Sequence, residues 1–485
     1  MIIPFQRRYS RSWRPAILLV VIVSLLVACR PAKTPKTQTP AATQSPGQVT
    51  RLPAALTPTE SGSSPTTPLP SPTRLLPITP TQVPTGAAPS PADSAACTAL
   101  GTTWTGGQAS LRLDGETYDV SGCERPARPT EFEIVEPAQR DPARWETARC
   151  NDGSPFSMAV ALSPDKQNQE WVIYLEGGGF CDDASASCRE RPGPLTRAPN
   201  ARDGVLVAVN QSGIFNRDAT LNPTFHAANY VFARYCSSDL WSGVSAEPRP
   251  TDASPTGWYF SGRLNVQAML DILQQRYGLD DNNLQTRVLF AGSSAGGVGM
   301  QGNADLMVNA LPQTTQAGRL RLLNDAGFIP DLANTEFAVS STGFSLPAVL
   351  TEAYDFWGSA LPPLCEQAQR NRQQPPGRCF VGSVAYPYIV APPPGGLGVR
   401  MLVQISLADA YFLDLNSIDS ANNAVVNRWR DQIRQSIDSI SDVFASRRIY
   451  HTLLTEESRW DYPAESNGAT FREVLDEFWR SGPGG

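Results

Sequence analysis

The chain has 485 residues and a formal charge of −6 at pH 7, a length sufficient for one large domain with appended segments. An acidic isoelectric point of about 5.2 gives no basic surface of the kind that binds nucleic acid, so no nucleic-acid partner is predicted. Only two histidines are present, and any chemistry that needs an imidazole base must use His226 or His451.

The N-terminus has the pattern of a secretory signal. Four arginines within residues 1–14 precede the apolar run Ala16–Ala28, which is too short to span a bilayer comfortably. The run ends in "LVAC", which resembles the bacterial lipobox, so residues 1–29 are predicted to be a lipoprotein-type signal peptide in which Cys29 is acylated. The alternative is an uncleaved membrane anchor. Both interpretations place the remaining chain outside the cytoplasm, at a bacterial cell surface.

Residues 30–95 are predicted to form a disordered tether. Pro, Thr and Ser fill 35 of the 65 positions from 31 to 95, and no Phe, Trp or Tyr is present. Such a segment cannot bury enough apolar surface to offset its chain entropy. Residues 96–145 are predicted to be a small β-rich extension, because "ASLRLDGETYDV" alternates apolar and polar residues in the manner of a β-hairpin.

Residues 146–485 carry the pattern of one α/β domain. Short apolar runs predict the strands "WVIYLEG", "GVLVAVN", "YVFARYC", "RVLFAG" and "VRMLVQIS". Amphipathic stretches between them predict helices over Leu264–Tyr277, Val298–Leu311 and Val425–Ile440. Strands that alternate with helices favour a largely parallel sheet that is covered by helices.

The strand "RVLFAG" ends in "GSSAGG", where residues 292–296 fit the pattern G-x-S-x-G with Ser294 at its centre. This pattern between a strand and a helix is typical of a nucleophile elbow, whose small residues clear space around the serine. The alternative is a glycine-rich packing turn. The oxyanion of an attacked ester needs preorganised donors. The backbone N–H groups of Ala295, Gly177 and Gly178 are predicted to supply them, and the alternative for "LEGGGFC" is a plain strand-end turn.

Chain order selects the histidine. In sheets of this kind the nucleophile, the acid and the histidine follow one another along the chain. His226 precedes Ser294, whereas His451 follows it. Asp325 and Asp409 both follow apolar runs between Ser294 and His451, and spacing leaves the choice of acid open. "NDAGFIPD" also resembles a strand-end turn in which the Asp325 carboxylate caps backbone N–H groups.

Eight cysteines remain after Cys29. An even number in an exported domain favours disulfides over free thiols or metal ligation, and short loops favour Cys181–Cys188 and Cys365–Cys379. No CxxC pair or His-rich cluster indicates a zinc site, so no metal is predicted.

Five motifs carry a resemblance to a known family. "LEGGGFC", "YCSSDLWSG", "GSSAGGVG", "DAGFIPD" and "FWGSALPPLC" occur in the same order as in the pectinacetylesterase/Notum family of serine hydrolases, over about residues 145–480. The resemblance implies an α/β-hydrolase-like fold without a cofactor. It matches Ser294 with the nucleophile, His451 with the histidine and "LVQISLADAYF" with the acid-bearing segment, which favours Asp409. Gly177, Gly178 and Ala295 match the oxyanion donors.

The same resemblance extends to disulfides and to the pocket. It implies the pair Cys150–Cys236 and leaves Cys97–Cys123 for the extension. Phe180, Asp239 and Trp241 are expected to line the pocket, although a disulfide-tied structural loop is an equal interpretation of the last two. Gly179 stands where Notum-type members carry a bulky aromatic residue, which implies an open pocket wall.

These features predict an extracytoplasmic, lipid-anchored serine esterase that removes short acyl groups, chiefly acetyl, from a carbohydrate polymer. Removal of residues 1–28, with four Arg and no acidic residue, leaves a charge of −10, which disfavours a heavily anionic polymer. Two alternatives stand beside this prediction. One is a deacylase for a longer acyl chain on a protein or lipid, and the other is a catalytically silent carbohydrate-binding module.

Overall fold

The computed structural model describes residues 132–182, 188, 212–332, 334–341 and 343–482, together with the backbone of three short strands nearer the N-terminus. The predicted signal peptide with Cys29, the predicted pair Cys97–Cys123 and the predicted strand "GVLVAVN" lie outside the described residues. None of the described helices is long and apolar enough to cross a membrane.

The three N-terminal strands form a small sheet of order β1-β3-β2, made of β1 (Ser90–Pro91), β2 (Ser110–Leu113) and β3 (Glu116–Asp119). Strands β2 and β3 pair in antiparallel fashion with Ser110 opposite Asp119, as the alternating pattern predicts for a hairpin. Strand β1 pairs in parallel with β3, although it lies within the stretch assigned to the tether.

An eight-stranded sheet of order β13-β12-β11-β10-β6-β7-β5-β4 carries the described part of the large domain. Its strands are β4 (Glu133–Val135), β5 (Met158–Ala161), β6 (Glu170–Leu175), β7 (Asn229–Ala233), β10 (Arg287–Ser293), β11 (Leu320–Asp325), β12 (Met401–Ser406) and β13 (Val443–Ser446). A separate hairpin pairs β8 (Arg249–Thr251) with β9 (Ser254–Trp258).

The eight-stranded sheet is largely parallel. The six strands from β13 to β7 run in parallel, whereas β5 and β4 join one edge in antiparallel fashion. The predicted α/β fold is therefore confirmed. The sequence-based boundary at residue 146 leaves β4 outside the α/β domain, but β4 pairs with β5, so the sheet of this domain includes residues from Glu133 onward.

Helices connect the strands and cover the sheet. They are α1 (Pro137–Arg140), α2 (Pro142–Trp145), α3 (Gly262–Ile272), α4 (Ala295–Gly302), α5 (Ala304–Ala310), α6 (Pro312–Gln316), α7 (Leu346–Trp357), α8 (Pro363–Asn371), α9 (Gly382–Val390), α10 (Ala410–Leu415), α11 (Asn423–Ile437) and α12 (Phe471–Arg480). The helix predicted over residues 298–311 is divided at Asn303, whose amide donates to the carbonyls of Gly299 and Trp241.

Both faces of the sheet are buried. In β6, Trp171, Ile173 and Leu175 pack into the core on one face, whereas Val172 and Tyr174 pack into the core on the other. A strand that is covered on both sides reads as a continuous apolar run, which explains the sequence "WVIYL".

Three disulfides fasten the loops of this domain. They join Cys150 to Cys236, Cys181 to Cys188 and Cys365 to Cys379, the pairs named from the sequence for this region. The Cys181–Cys188 disulfide follows the glycine-rich segment after β6, and the Trp357 indole donates a hydrogen bond to the Cys181 carbonyl over 2.7 Å. This segment is thereby joined to helix α7.

Candidate active site

Ser294 occupies a strained turn between β10 and α4. Its backbone has φ 56° and ψ −123°, a conformation that costs a residue with a side chain about 1–3 kcal/mol. Hydrogen bonds hold the turn in place. The Ser294 N–H donates to the Asp325 carbonyl over 2.8 Å, and its own carbonyl accepts from Gly297 and Val298 at 2.9 and 3.1 Å. The surrounding structure thus fixes the serine at the carboxyl end of the sheet.

The small residues around Ser294 allow three backbone segments to approach one another. A Cβ atom on Gly296 would lie 1.9 Å from the Leu175 carbonyl oxygen, and one on Gly292 would lie 2.1 Å from the Gly296 carbonyl oxygen. A Cβ atom on Gly177 would lie 3.0 Å from the Ser294 Cβ. Strands β6 and β10 and helix α4 could not meet in this way with larger side chains. This close approach accounts for the run "GSSAGG".

Ser294, His451 and Asp409 form a connected set, although each follows a different strand. His451 Nε2 lies 2.8 Å from Ser294 Oγ, and His451 Nδ1 lies 2.9 Å from each Asp409 carboxylate oxygen. The Asp409 side chain is 1% exposed and that of His451 is 26% exposed. In this geometry the imidazole can accept the Ser294 proton while the carboxylate holds the other ring nitrogen.

Asp409 is fixed by the helix that it begins. It is the N-cap of α10, and its Oδ1 accepts hydrogen bonds from the backbone N–H groups of Tyr411 at 2.9 Å and Phe412 at 3.2 Å. Burial raises the pKa of the Asp409 carboxyl above its ordinary value, while the hydrogen bond and the charge of His451 oppose that change. The Tyr411 ring lies 5.0 Å from the imidazole, between ring centroids.

Several opposing influences set the pKa of His451. Burial lowers it, but the hydrogen bond to Asp409 and the charges of Asp409 and Asp325 raise it, and Arg459 opposes them. The net effect raises the pKa of His451 above its ordinary value of 6.5. Because a general base must be neutral, activity that uses His451 in this way requires a pH above that raised value.

Asp325 lies in the same region but contacts backbone and hydroxyl groups. It is 0% exposed and accepts hydrogen bonds from Ser293 Oγ and from the N–H groups of Leu453 and Leu454. Burial raises the pKa of its carboxyl to about 6. The structure thus brings Asp409, and not Asp325, to the imidazole. His226 lies before β7, where its Nδ1 is 3.2 Å from the Pro223 carbonyl oxygen.

An apolar cavity opens beside Ser294. Its empty volume, including the mouth, is about 330 Å³. Its lining consists of Gly179, Phe180, Leu240, Ser294, Ala295, Val298, Ala326, Gly327, Ile329, Leu346, Tyr411, Phe412 and His451. Most of these side chains are aliphatic or aromatic. The cavity therefore suits an apolar group that is attached to the carbonyl attacked by Ser294.

The segment "SSDLWSG" presents Leu240 to this cavity, and neither Asp239 nor Trp241 belongs to the lining. Asp239 is fully buried and accepts hydrogen bonds from the backbone N–H groups of Trp241, Gly243 and Gly262. The Trp241 indole donates to the Glu176 carbonyl over 3.0 Å. Both side chains therefore act in the packing of this loop. Phe180, also expected to line the pocket, does line it.

The residues expected to bind the oxyanion lie on two segments next to Ser294. Ala295 is the first residue of α4, and Gly177 follows β6 and packs against Ser294. Gly178 has φ 151°, within the range where an added side chain is strained. In the part of the chain that the structure describes, no group of three or more His, Cys, Asp or Glu residues could hold a metal ion.

Sequence reasoning did not identify most of the cavity wall. Ala326 and Ile329 lie within "NDAGFIPD", and Tyr411 and Phe412 directly follow Asp409, so proximity to the motifs is a usable signal. Leu346 has no such signal, because an apolar residue at the start of an amphipathic helix is read as part of the core.

Comparison with known proteins identifies the family. The family model described as pectinacetylesterase matches residues 128–394. The chain belongs to the pectinacetylesterase family. The matched range contains Gly177, Gly178 and Ser294 but ends before Asp409 and His451, so the placement of these two residues rests on the geometry described above.

The curated relatives of this pectinacetylesterase-family chain include Notum proteins of animals. It is 28% identical over 323 residues to palmitoleoyl-protein carboxylesterase notum1' of Xenopus laevis, which covers 65% of this chain and 62% of the relative. It is 30% identical over 248 residues to palmitoleoyl-protein carboxylesterase NOTUM of Homo sapiens, which covers 50% of this chain and 47% of the relative. The chain thus spans about three-fifths or less of the length of these relatives.

A solved structure supports the fold of this family member. The Wnt deacylase Notum from Drosophila aligns with a TM-score of 0.55 and 22% sequence identity, covering 72% of this chain and 93% of that one. At this identity the likeness concerns the fold, which is α/β-hydrolase-like.

Proposed function

We propose that the protein is a serine carboxylic-ester hydrolase that removes an apolar acyl chain, longer than acetyl, from a protein or lipid. The observation that carries this proposal is the apolar lining of the cavity that opens at Ser294. This function is the longer-chain alternative that the sequence left open.

In the proposed reaction Ser294 Oγ attacks the ester carbonyl and His451 Nε2 accepts the serine proton. Asp409 orients the imidazole and stabilises the imidazolium. The N–H groups of Ala295, Gly177 and Gly178 bind the oxyanion. His451 then returns the proton to the departing alcohol oxygen. Water, activated by the same imidazole, hydrolyses the acyl-serine and releases the carboxylic acid.

The apolar surface of the cavity favours a chain over an acetyl group. The volume of about 330 Å³ includes space that is open to solvent, so the character of the lining, and not the volume, distinguishes the two acyl groups. Each methylene that enters an apolar site contributes about 0.8 kcal/mol. An acyl chain of several carbons would therefore bind with a large gain over acetyl.

The character of the lining supports the same choice. Phe180, Leu240 and Ile329 offer no hydrogen-bonding group from their side chains. The polar side chains of the lining are those of Ser294, Tyr411 and His451. A sugar ring needs several polar partners, whereas an acyl chain needs none. The names of the animal relatives, palmitoleoyl-protein carboxylesterases, point in the same direction.

A second candidate is the removal of acetyl groups from a carbohydrate polymer. The match to the family model described as pectinacetylesterase favours it. Gly179 in the cavity lining, without a side chain, would leave room for a bulky polymer at the mouth. In this case the cavity would take the acetyl group alone, and the polymer would lie outside.

We also propose an extracytoplasmic location for the protein, lipid-anchored at a bacterial cell surface through Cys29. The three disulfides support export, because such bonds persist in oxidising compartments. The lipobox-like "LVAC" and the tether support anchoring.

The experiment measures kcat/KM of the exported protein for p-nitrophenyl acetate and p-nitrophenyl octanoate. We expect the octanoate to be preferred at least tenfold, since each buried methylene contributes about 0.8 kcal/mol. Val298→Phe fills the cavity from helix α4 and should abolish most of this preference. Val308→Phe, the same change on α5 outside the lining, should leave the preference as it is.

The outcomes separate the candidates. A preference for octanoate that Val298→Phe removes supports the long-chain deacylase. Equal rates on both esters, with acetate release from an acetylated polysaccharide, favour the second candidate. A fluorophosphonate probe adds a test of the chemistry, because it should label the parent protein and fail to label Ser294→Ala. Absence of labelling in the parent would favour the catalytically silent binding module.

A further inference from the structure

Asp325 is a buried carboxylate that the proposed reaction does not use. It ends strand β11, which lies between β10, the strand of Ser294, and β12, the strand before Asp409. Ser293 and Asp325 are direct neighbours in the parallel register of β10 and β11. Asp325 is therefore placed in the middle of the catalytic edge of the sheet, and it is 0% exposed.

The backbone carbonyl and the side-chain carboxylate of Asp325 bind different parts of the site. The Asp325 carbonyl accepts from the N–H of Ser294 at 2.8 Å. Its carboxylate accepts from the N–H of Leu454 at 3.0 Å and from that of Leu453 at 3.2 and 3.3 Å. Leu453 is two residues from His451 in the chain. One residue thus connects the turn of the nucleophile with the loop of the histidine.

We propose that Asp325 is a positioning residue, which holds the His451 loop against the strand end of Ser294 and places a negative charge toward the imidazole. This inference rests on the proposed function in one respect, the use of His451 as the base for Ser294. It goes beyond that function because it assigns a role to a residue outside the nucleophile, the base, the acid and the oxyanion donors.

The carboxylate charge argues against a role in capping alone. A neutral amide oxygen can accept hydrogen bonds from the backbone at a smaller cost of burial than an ionised carboxylate. The Asp325 carboxyl is buried, and burial raises its pKa to about 6, so the folded protein bears a cost for its charge at neutral pH. The charge nevertheless has an effect on the site, because it raises the pKa of His451 from a distance.

Several other groups act on the same imidazole and carboxylate. Asp409 raises the pKa of His451 from the start of α10, and Arg459 lowers it from the short helix Glu457–Arg459. Around Asp325, Ser293 Oγ donates to the carboxylate, and the hydroxyls of Tyr174 and Tyr450 lie within its electrostatic influence. Removal of the Asp325 charge should therefore lower the pKa of His451 while the influence of Asp409 and Arg459 persists.

The test uses Asp325→Asn, which keeps the shape of the side chain and removes its charge. The chain has only two histidines, which makes His451 readily identifiable by NMR. We expect the titration of His451 to move to lower pH. We expect kcat for p-nitrophenyl esters to fall by about 10- to 100-fold at unchanged KM, since a displacement of about 1 Å can cost 100-fold.

Glu366→Gln is the matched control. Glu366 is 8% exposed on α8 and accepts from the Tyr354 hydroxyl at 2.7 Å and the Leu361 N–H at 2.9 Å, kinds of donor that Asp325 also has. It differs from Asp325 in its salt bridge with Arg370 at 3.1 Å. This variant should lower thermal stability and leave both the His451 titration and the activity per folded molecule unchanged. If Asp325→Asn behaves like Glu366→Gln, Asp325 is a structural residue and the proposal is overturned.

A change in the His451 titration alone, or in kcat alone, also overturns the proposal. The proposed role requires Asp325 both to act on the imidazole by its charge and to hold the His451 loop in place. Should Asp325→Asn fail to fold, Ser293→Ala decides. It removes one donor to the carboxylate, which raises the pKa of Asp325 and should still move the His451 titration to lower pH. An unmoved titration contradicts the proposal. The titration needs no substrate, so a parent protein without esterase activity would count against the proposed function alone.

Discussion

Asp409→Asn should leave the protein folded and lower kcat by about a thousandfold. Asp409 Oδ1 and Oδ2 each lie 2.9 Å from His451 Nδ1, and Oδ1 also accepts two backbone N–H groups. In the variant, an amide NH₂ group replaces the oxygen that has no backbone partner in α10. This group faces Nδ1 as a donor and favours the imidazole tautomer with its proton on Nε2, which cannot accept the Ser294 proton.

The magnitude follows from the lost charge. Two unit charges about 4 Å apart interact by about 4 kcal/mol at an effective dielectric constant of about 20, which is appropriate for a partly buried pair. The imidazolium that forms during the attack loses this stabilisation, and about 1.4 kcal/mol corresponds to a tenfold change in rate. The α10 hydrogen bonds to Oδ1 can persist, so folding should be little affected.

The assay is steady-state hydrolysis of p-nitrophenyl esters at pH 8, corrected for the folded fraction by thermal melts. Asp414→Asn is the control, because it makes the same change at an exposed position of the same helix. It should retain the activity of the parent. The assignment of the acid is refuted if Asp409→Asn turns over at the parental rate and Asp325→Asn is folded and inactive.

Three further predictions follow from the titrating groups and the N-terminus. First, kcat/KM should fall as the pH decreases with a midpoint above 6.5, because the pKa of His451 is raised and its protonated form cannot act as a base; a midpoint at or below 6.5 would contradict this. Second, burial raises the pKa of Asp239 from 3.8 to about 6, so folding stability present at low pH is lost as the pH rises through that window, by about 3 kcal/mol. The difference in unfolding free energy between the parent and Asp239→Asn should therefore become smaller between pH 4 and pH 7. A difference that stays constant over this range would refute the raised pKa of Asp239. Third, Cys29→Ala should remove the full-length protein from the detergent phase of a phase-partition experiment or leave it unprocessed, whereas normal cleavage with unchanged partitioning would refute lipidation.

The elements that were predictable from sequence are those with strong local signals. The runs "WVIYL" and "RVLFAG" correspond to β6 and β10 because strands buried on both faces are continuously apolar. The strand "VFAS" of β13 was not predicted. It is four residues long, at the edge of the sheet, and two of its residues are only half-buried, so its pattern is weak.

The residues of the site likewise differ in how strongly the local sequence predicts them. Ser294 and His451 follow from a motif and from chain order, because each has few competitors in the sequence. The choice between Asp325 and Asp409 needed the resemblance, since both end apolar runs and only the fold decides which carboxylate reaches the imidazole. The whole cavity wall could not be predicted, because a residue such as Leu346 lies next to no motif and reaches the site only through tertiary packing.

The order of the strands explains why the histidine loop needs an anchor. Neighbouring strands lie about 4.8 Å apart, so β13 is about 14 Å from β10 across two intervening strands. An imidazole side chain cannot span that distance, and the chain after β13 must return over β12 before His451 can reach Ser294. Asp409 at the end of β12 meets the ring, and Asp325 at the end of β11 binds the backbone two residues farther along. The two carboxylates thus determine how far the loop extends across the sheet, and the 2.8 Å contact of Nε2 with Oγ depends on both.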